Sequence, residues 1–133
     1  MSIAGNKEKV EAYKAKIANL LNKCDTEIPE SVYHTPSQTK FYISMIWHEI
    51  GNNEKAGKNL GQVYATSESE VKYYLRFGSK KTRYMRGLAK DAFDFMDRAA
   101  ASAKEWGLSN MAAKFEKTNK ELSSTVNNFV NSD

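Results

Sequence analysis

The longest regular stretch of the sequence, residues 79–106, is SKKTRYMRGLAKDAFDFMDRAAASAKEW. Its apolar side chains recur at helical spacing and fall within an arc of roughly 100° on one side of a helix. These side chains are Met85, Leu88, Ala92, Phe95, Met96, Ala99, Ala103 and Trp106. The stretch therefore predicts an amphipathic helix from Ser79 to about Trp106, which Gly107 ends.

The segment after Gly107 predicts a second helix that pairs with the first. Ser109 is a suitable N-cap residue, and the apolar residues that follow fall within an arc of about 60°. They are Met111, Phe115, Leu122, Val126 and Phe129. A stripe this narrow suits an antiparallel hairpin with the preceding helix, and it leaves open a homodimer through these C-terminal helices.

The N-terminal half predicts two further helices. An apolar stripe indicates the first, from about Asn6 to Cys24, and consists of Val10, Tyr13, Ile17, Leu20, Leu21 and Cys24. Both prolines lie in the loop at residues 25–37. Thr35 and Pro36 form a favourable N-cap and first helical residue, and glycine and asparagine end this second helix at residues 51–53.

The second helix is apolar around most of its circumference, so we expect it to be central in the bundle. Its apolar residues are Phe41, Tyr42, Ile43, Met45, Ile46, Trp47 and Ile50. Its only polar stripe consists of Ser37, Lys40, Ser44 and His48. We expect His48 to face water or to form a hydrogen bond near the surface.

Residues 53–78 predict two short helices separated by a turn. Residues 53–65 form a glycine-weakened helix, and Ser67 with Glu70 forms a capping box for the next one. Gly78 is placed to end that helix, although alternating apolar residues from 71 to 77 leave a strand as the alternative. The whole pattern predicts an all-α, compact bundle of about five helices with a long C-terminal helical hairpin.

Composition is typical of one globular domain, which we assign to residues 1–133. The chain has 133 residues, of which 41% are hydrophobic and 27% charged. The single cysteine, Cys24, excludes an internal disulfide framework, and its position in the apolar stripe predicts a core thiol. No apolar run approaches about 18 residues, and the N-terminus lacks a signal-peptide core. We therefore expect a soluble, cytoplasmic protein without a membrane partner.

Catalytic motifs are sparse, and we predict a non-enzymatic protein without a metal or cofactor. His48 and Glu49 resemble the start of HExxH, but the second histidine is absent. Residues 78–82 resemble the end of a P-loop but lack its first glycine. The aspartates at 91, 94 and 97 turn by about 60° per step and do not converge, while Lys90–Asp94 and Asp94–Arg98 have the spacing of ion pairs on a solvated helix face.

The segment from 71 to 90 carries the functional prediction, because it contains seven cations and no acid. The cations are Lys72, Arg76, Lys80, Lys81, Arg83, Arg86 and Lys90, and three of the four arginines in the chain are among them. Lys80, Lys81 and Arg83 are predicted in the first helical turn, where the helix dipole disfavours cations and free N–H groups can bind phosphate. Aromatic residues, which can stack on bases, are interleaved with them.

Residues 60–77 add a resemblance. Apolar Leu60, small Gly61, apolar Tyr64, a turn at 65–67 and apolar residues at 71 and 74 resemble the helix-turn-helix pattern of DNA-binding regulators. That resemblance implies that the second helix presents Ser69, Lys72, Tyr73 and Arg76 to a major groove.

The sequence therefore predicts a small protein that binds DNA or RNA through a basic, aromatic-interleaved helical surface. The predicted contact residues are Ser69, Lys72, Tyr73, Arg76, Lys80, Lys81, Arg83, Arg86 and Lys90. The alternative is a helical protein-interaction module, an adaptor or inhibitor, that docks the same basic face on an acidic protein partner.

Overall fold

The computed structural model describes residues 3–27, 36–78 and 82–131, with the side chains of 7–23, 37–78 and 82–131. Five helices account for these ranges: α1 (Ile3–Glu27), α2 (Pro36–Glu49), α3 (Asn53–Phe77), α4 (Arg83–Glu105) and α5 (Ser109–Val130). No strand occurs in them. The all-α prediction with a C-terminal hairpin is confirmed, and the strand alternative for 71–77 is wrong. The predicted cap Thr35 lies outside the described residues.

The central helix is α3, which packs against α2, α4 and α5. Its buried face combines small residues, which allow close approach, with larger apolar ones: Ala56, Gly57, Leu60, Val63, Tyr64 and Val71. The prediction that α2 is central is therefore wrong. The helix α2 packs mainly against α3. The α2 residues Tyr42, Met45 and Ile46 remain exposed.

Two members of the polar stripe of α2 face the interior, whereas Lys40 and His48 are only partly buried. Ser37 and Ser44 are buried. The Ser44 hydroxyl donates a hydrogen bond of 2.8 Å to the carbonyl oxygen of Ala56. Small hydroxyl groups let α2 approach α3 closely, and hydrogen bonds to α3 offset their desolvation.

His48 lies at the end of that stripe and is only partly covered. Its ring stacks on Trp106 at a centroid distance of 4.6 Å. Its Nδ1 atom lies 2.8 Å from the side-chain oxygen of Asn53. The histidine therefore connects the end of α2 to the start of α3 and the end of α4.

The turn predicted at residues 65–67 does not exist, because α3 is one continuous helix of 25 residues. It starts at the N-cap Asn52, whose side chain accepts a hydrogen bond from the Lys55 amide. Ser67 is not a cap: its buried hydroxyl donates to the hydroxyl of Ser37 over 3.3 Å. The buried residues before and after the expected turn share one helix face, so an unbroken helix buries both sets. The helix-turn-helix-like element at 60–77 is therefore wrong.

The helix α4 begins at Arg83, later than predicted, because Thr82 is its N-cap and accepts a hydrogen bond from the Met85 amide over 3.4 Å. It ends at the predicted glycine. Gly107 has a φ of 76°, which favours glycine. The next residue, Leu108, donates a backbone hydrogen bond of 2.8 Å back to Ala103, as in a Schellman motif.

The helix α5 packs along α4 and completes the hairpin. Its N-cap is Leu108, without a side-chain hydrogen bond, so the predicted cap Ser109 is instead the first helical residue. Phe115, Val126 and Phe129 are buried. The α5 stripe is thus buried within the chain, and we do not propose a homodimer through it.

The helix α1 is the least covered, and its backbone contacts only α2. Leu21 is buried, and Ile17 and Ala18 are partly buried against α2. The other described residues of the predicted apolar stripe, Val10, Tyr13 and Leu20, are exposed by 50%, 64% and 63%. The side chain of Cys24 lies outside the described part of the chain.

Candidate nucleic-acid interface

Several of the predicted contact residues that the structure describes lie near the end of α3 or the start of α4. Gly78 ends α3 in extended conformation, with φ −73° and ψ 149° rather than the left-handed values expected of a C′ glycine. Its amide donates a hydrogen bond of 2.8 Å to the Tyr74 carbonyl. A Cβ atom here would clash with that carbonyl and lie 3.2 Å from the Phe129 ring. Glycine therefore allows the chain to leave α3 close to α5.

Four of the predicted residues lie on the outer face of α3, opposite its buried side. Ser69, Lys72, Tyr73 and Arg76 are all exposed. Lys72 forms an ion pair of 3.1 Å with Glu68, one turn earlier, which partly neutralises it. The structure thus confirms that these residues are accessible, although they do not form a separate recognition helix.

Exposed aromatic rings accompany these cations. Tyr73, Phe77 and Tyr84 are exposed by 56%, 63% and 73%. The Tyr73 and Phe77 rings lie 5.2 Å apart between centroids, and the Arg76 guanidinium lies 5.0 Å from the Phe77 centroid. We call Tyr73, Arg76, Phe77 and Tyr84 the end cluster.

Tyr84 joins the end cluster from the first turn of α4. Burial raises the pKa of Tyr74, and the nearby Glu70 and Tyr84 add to that rise. Tyr74 contacts Tyr73 at a centroid distance of 5.7 Å. The predicted contact set omitted Phe77 and Tyr84. The spacing of Phe77 four residues after Tyr73 is the signal that could have identified it.

The cations of α4 are placed less uniformly than predicted. Arg83 and Lys90 are exposed. Among the described residues, neither side chain has an ion pair or a hydrogen bond. Arg86 is half-buried and has a partner within the chain. Because α4 begins at Arg83, Lys80 and Lys81 precede the helix rather than occupy its first turn. Their structure lies outside the described residues, so the helix-dipole argument applies to Arg83 alone.

Lys90 belongs to a different surface, a groove of about 490 Å³ between α4 and α5. The groove is lined by Lys90, Phe93, Asp94, Asp97, Asn119, Lys120, Ser123, Val126, Asn127, Val130 and Asn131. Its charges are mixed and none of its residues comes from α3. The predicted residues therefore do not form one surface, because Tyr73 and Arg76 belong to the end cluster and Lys90 lines this groove.

The aspartates of α4 have separate roles. Asp97 accepts a hydrogen bond of 3.1 Å from the Asn119 amide, and burial, followed by the charge of Asp94, raises the pKa of its carboxyl group. The predicted ion pairs of Asp94 with Lys90 and Arg98 do not form. The Arg98 guanidinium lies over the Phe41 and Phe95 rings instead, at 4.7 and 5.2 Å.

Three broader findings accompany this geometry. Within the described ranges, no three histidine, cysteine, aspartate or glutamate side chains are placed to hold a metal ion together. The helices in the same ranges include none that is long and apolar enough to cross a bilayer. No known protein family, curated protein or solved structure matches the chain significantly.

Proposed function

We propose that this chain is a non-enzymatic protein that binds single-stranded nucleic acid at the end cluster. Bases would stack on Tyr73, Phe77 and Tyr84, and phosphates would contact Arg76 and Arg83. The observation that supports this most directly is that three large rings are more than half exposed within a segment that contains no acidic residue.

The exposed rings favour a single strand over a duplex. Base stacking on an aromatic side chain contributes about 1–3 kcal/mol per base, and only an unpaired strand offers its base faces. A continuous α3 lacks the turn that would set a short recognition helix into a major groove. Lys72 and Ser69 extend the same α3 face and would contact the backbone of a bound strand.

Electrostatics supports the same site. Lys80 and Lys81 follow Gly78 in the sequence and add two cations to the segment between the rings of α3 and α4. Lys90 and Arg86 on the neighbouring surface would raise the local positive potential without direct base contact. Binding should therefore weaken steeply with salt, because each neutralised phosphate releases counterion.

The alternative is an acidic protein partner for the same basic face. The cations support it, but it does not require the exposed rings of the end cluster. Capture experiments from lysate before and after nuclease treatment separate the two. The single cysteine is consistent with the proposed cytoplasmic location.

The test is fluorescence anisotropy with a short single-stranded DNA, the matching RNA and the corresponding duplex, each at two salt concentrations. Wild-type protein should bind the single strands more tightly than the duplex. Phe77→Ala and Tyr84→Ala should each lose about 1–3 kcal/mol of binding free energy. Tyr42→Ala is the matched control, because it removes a half-exposed ring on α2 and should bind as the wild type does.

A charge variant tests the phosphate contacts separately. Arg76→Glu with Arg83→Glu should abolish binding and leave helicity unchanged, whereas Lys104→Glu with Lys114→Glu, two exposed lysines elsewhere, should change it little. The proposal fails if the duplex binds as tightly as the single strands, or if the ring variants bind normally.

A further inference from the structure

The exposed apolar residues of α1 follow a heptad spacing. Val10, Tyr13, Ile17, Leu20 and Cys24 are separated alternately by three and four residues, the spacing of a seam that packs against another helix. Among the seam residues whose side chains the structure describes, which leave out Cys24, Ile17 alone is partly covered by the bundle. Val10, Tyr13 and Leu20 are at least half exposed, so most of the seam has no partner among the described residues.

The length of α1 explains why the seam is uncovered. Its 25 residues span about 37 Å at 1.5 Å per residue, whereas the 14 residues of α2 span only about 21 Å. Within the described residues its backbone contacts α2 alone, and Lys55 of α3 donates a side-chain hydrogen bond to Asn22. The N-terminal half of α1 therefore presents its seam to solvent.

The charges beside the seam all have one sign. Five of the six positions that flank it between residues 7 and 23 carry lysine: Lys7, Lys9, Lys14, Lys16 and Lys23. The sixth is the buried Leu21. The acidic residues Glu8 and Glu11 lie at positions farther from the seam, and Glu11 is 3.7 Å from Lys14. The Lys16 ammonium lies 5.9 Å from the Tyr13 ring centroid, beside the exposed apolar surface. The seam is therefore bordered by cations on both sides.

This pattern opposes pairing of α1 with a second copy of itself. In a parallel coiled coil, the flanking positions of one helix face the opposite flanking positions of the other, and in an antiparallel pair each faces its own kind. Both arrangements would place lysine against lysine, which destabilises the pair. A partner helix with acidic residues at these positions would instead form ion pairs on both sides of the seam.

From this juxtaposition we infer that α1 is a docking helix for an amphipathic partner helix whose apolar seam is flanked by glutamate or aspartate. Such a partner would cover Val10, Tyr13 and Leu20. The inference is independent of nucleic-acid binding at the end cluster, because it uses another helix and another ligand.

The test uses two labelled synthetic peptides that share a leucine seam and differ only in their flanking residues, one with glutamate and one with lysine. Anisotropy with the full chain should show that the glutamate peptide binds at least about tenfold more tightly. Lys9→Glu with Lys16→Glu should reduce that preference, because glutamate then borders part of one side of the seam while lysine still borders the other. Val10→Gln with Leu20→Gln should abolish binding of both peptides, which separates seam contact from simple charge attraction.

Matched controls distinguish this surface from others. Lys104→Glu with Lys117→Glu, and Tyr42→Gln with Met45→Gln, change exposed residues elsewhere and should leave peptide binding unchanged. Thermal unfolding should show that the Val10 and Leu20 variant is folded, since both residues are exposed. Equal affinity for both peptides, no affinity for either, or a dimer of the chain that the Val10 and Leu20 variant dissociates in sedimentation would overturn the inference.

Discussion

The hydroxyl of Tyr64 donates a hydrogen bond of 2.8 Å to the side-chain oxygen of Asn119, which connects α3 to α5 inside the core. The amide nitrogen of Asn119 lies 3.1 Å from the carbonyl oxygen of Met96 and from a carboxylate oxygen of Asp97, both on α4. The Tyr64 ring also stacks on Phe115 at 3.8 Å between centroids. This network holds three helices in one register, because a shift of any helix would leave a buried polar atom unpaired.

Tyr64→Phe should destabilise the protein by about 1–3 kcal/mol, since it leaves the buried oxygen of Asn119 without its donor. Urea unfolding measures the change in the free energy of unfolding. Tyr42→Phe is the matched control, because Tyr42 is exposed and loss of its hydroxyl should change stability little. Equal stability of wild type and Tyr64→Phe would show that the network does not stabilise the core.

Stability should fall in strongly alkaline solution because of the same tyrosine. Burial raises the pKa of Tyr64 from 10.0 to about 12, with smaller contributions from nearby carboxylates such as Glu68. The folded state therefore holds this proton more tightly than the unfolded state does. The contribution of the Tyr64 hydroxyl group to the free energy of unfolding is complete below about pH 10 and is lost as the pH rises towards 12. The free energy of unfolding, measured against pH, should decline less for Tyr64→Phe; parallel curves would contradict this assignment.

Asp97→Asn should stabilise the protein at neutral pH. Burial raises the pKa of Asp97, and the charge of Asp94 raises it further. When folding raises the pKa of a carboxyl group, the contribution of that group to the free energy of unfolding is greatest in acid. This contribution is lost as the pH rises through the raised pKa. Asparagine keeps an oxygen that can accept from Asn119 and removes the charge. The gain should be below about 1 kcal/mol, because the group is partly solvated.

Chemical denaturation at neutral pH and at about pH 3, below the usual pKa of aspartate, checks this prediction. The difference between Asp97→Asn and wild type should shrink in acid. Asp91→Asn removes an exposed carboxylate of the same helix and serves as the control. A gain that is the same at both pH values would mean that ionisation of Asp97 is not its cause.

Gly78→Ala should destabilise the protein by about 1–3 kcal/mol, because overpacking forces the backbone to move. Its methyl group would meet the Tyr74 carbonyl and the ring of Phe129. Gly87→Ala is the opposite case, since that glycine lies within α4 with nothing near its Cβ position. It should stabilise the helix by about 0.5–1 kcal/mol. Thermal unfolding of the two variants should therefore shift in opposite directions, and a shift of the same sign would refute the packing account of Gly78.

The parts of the fold that sequence predicted correctly depend on local signals. The glycine after α4 and the proline at the start of α2 act through their own backbone preferences. The apolar face of α4 repeats without interruption, and its buried residues Ala92, Met96 and Ala103 belong to the predicted set. Tyr73 and Arg76 are exposed as expected, but that expectation came from the helix-turn-helix resemblance, which the continuous α3 contradicts.

The errors concern what each helix face contacts. A capping signature at Ser67 was interpreted as a helix start, but a serine hydroxyl can also be buried when a neighbouring helix supplies a partner, here Ser37. The apolar residues of α2 did not make it central, because α3 has the small residues that allow neighbours on several sides. Arg76 belongs to the end cluster, whereas Lys90 lines the α4–α5 groove. This separation likewise depends on where α5 lies.

Sequence alone was sufficient for the helical class, the hairpin and the basic segment, because spacing and composition act over a few turns of one helix. The tertiary structure decided the continuity of α3, the inward serines of α2, the exposed rings of the end cluster and the uncovered seam of α1. Each of these depends on which helices are neighbours, and that follows from burial summed over the whole chain rather than from any single segment.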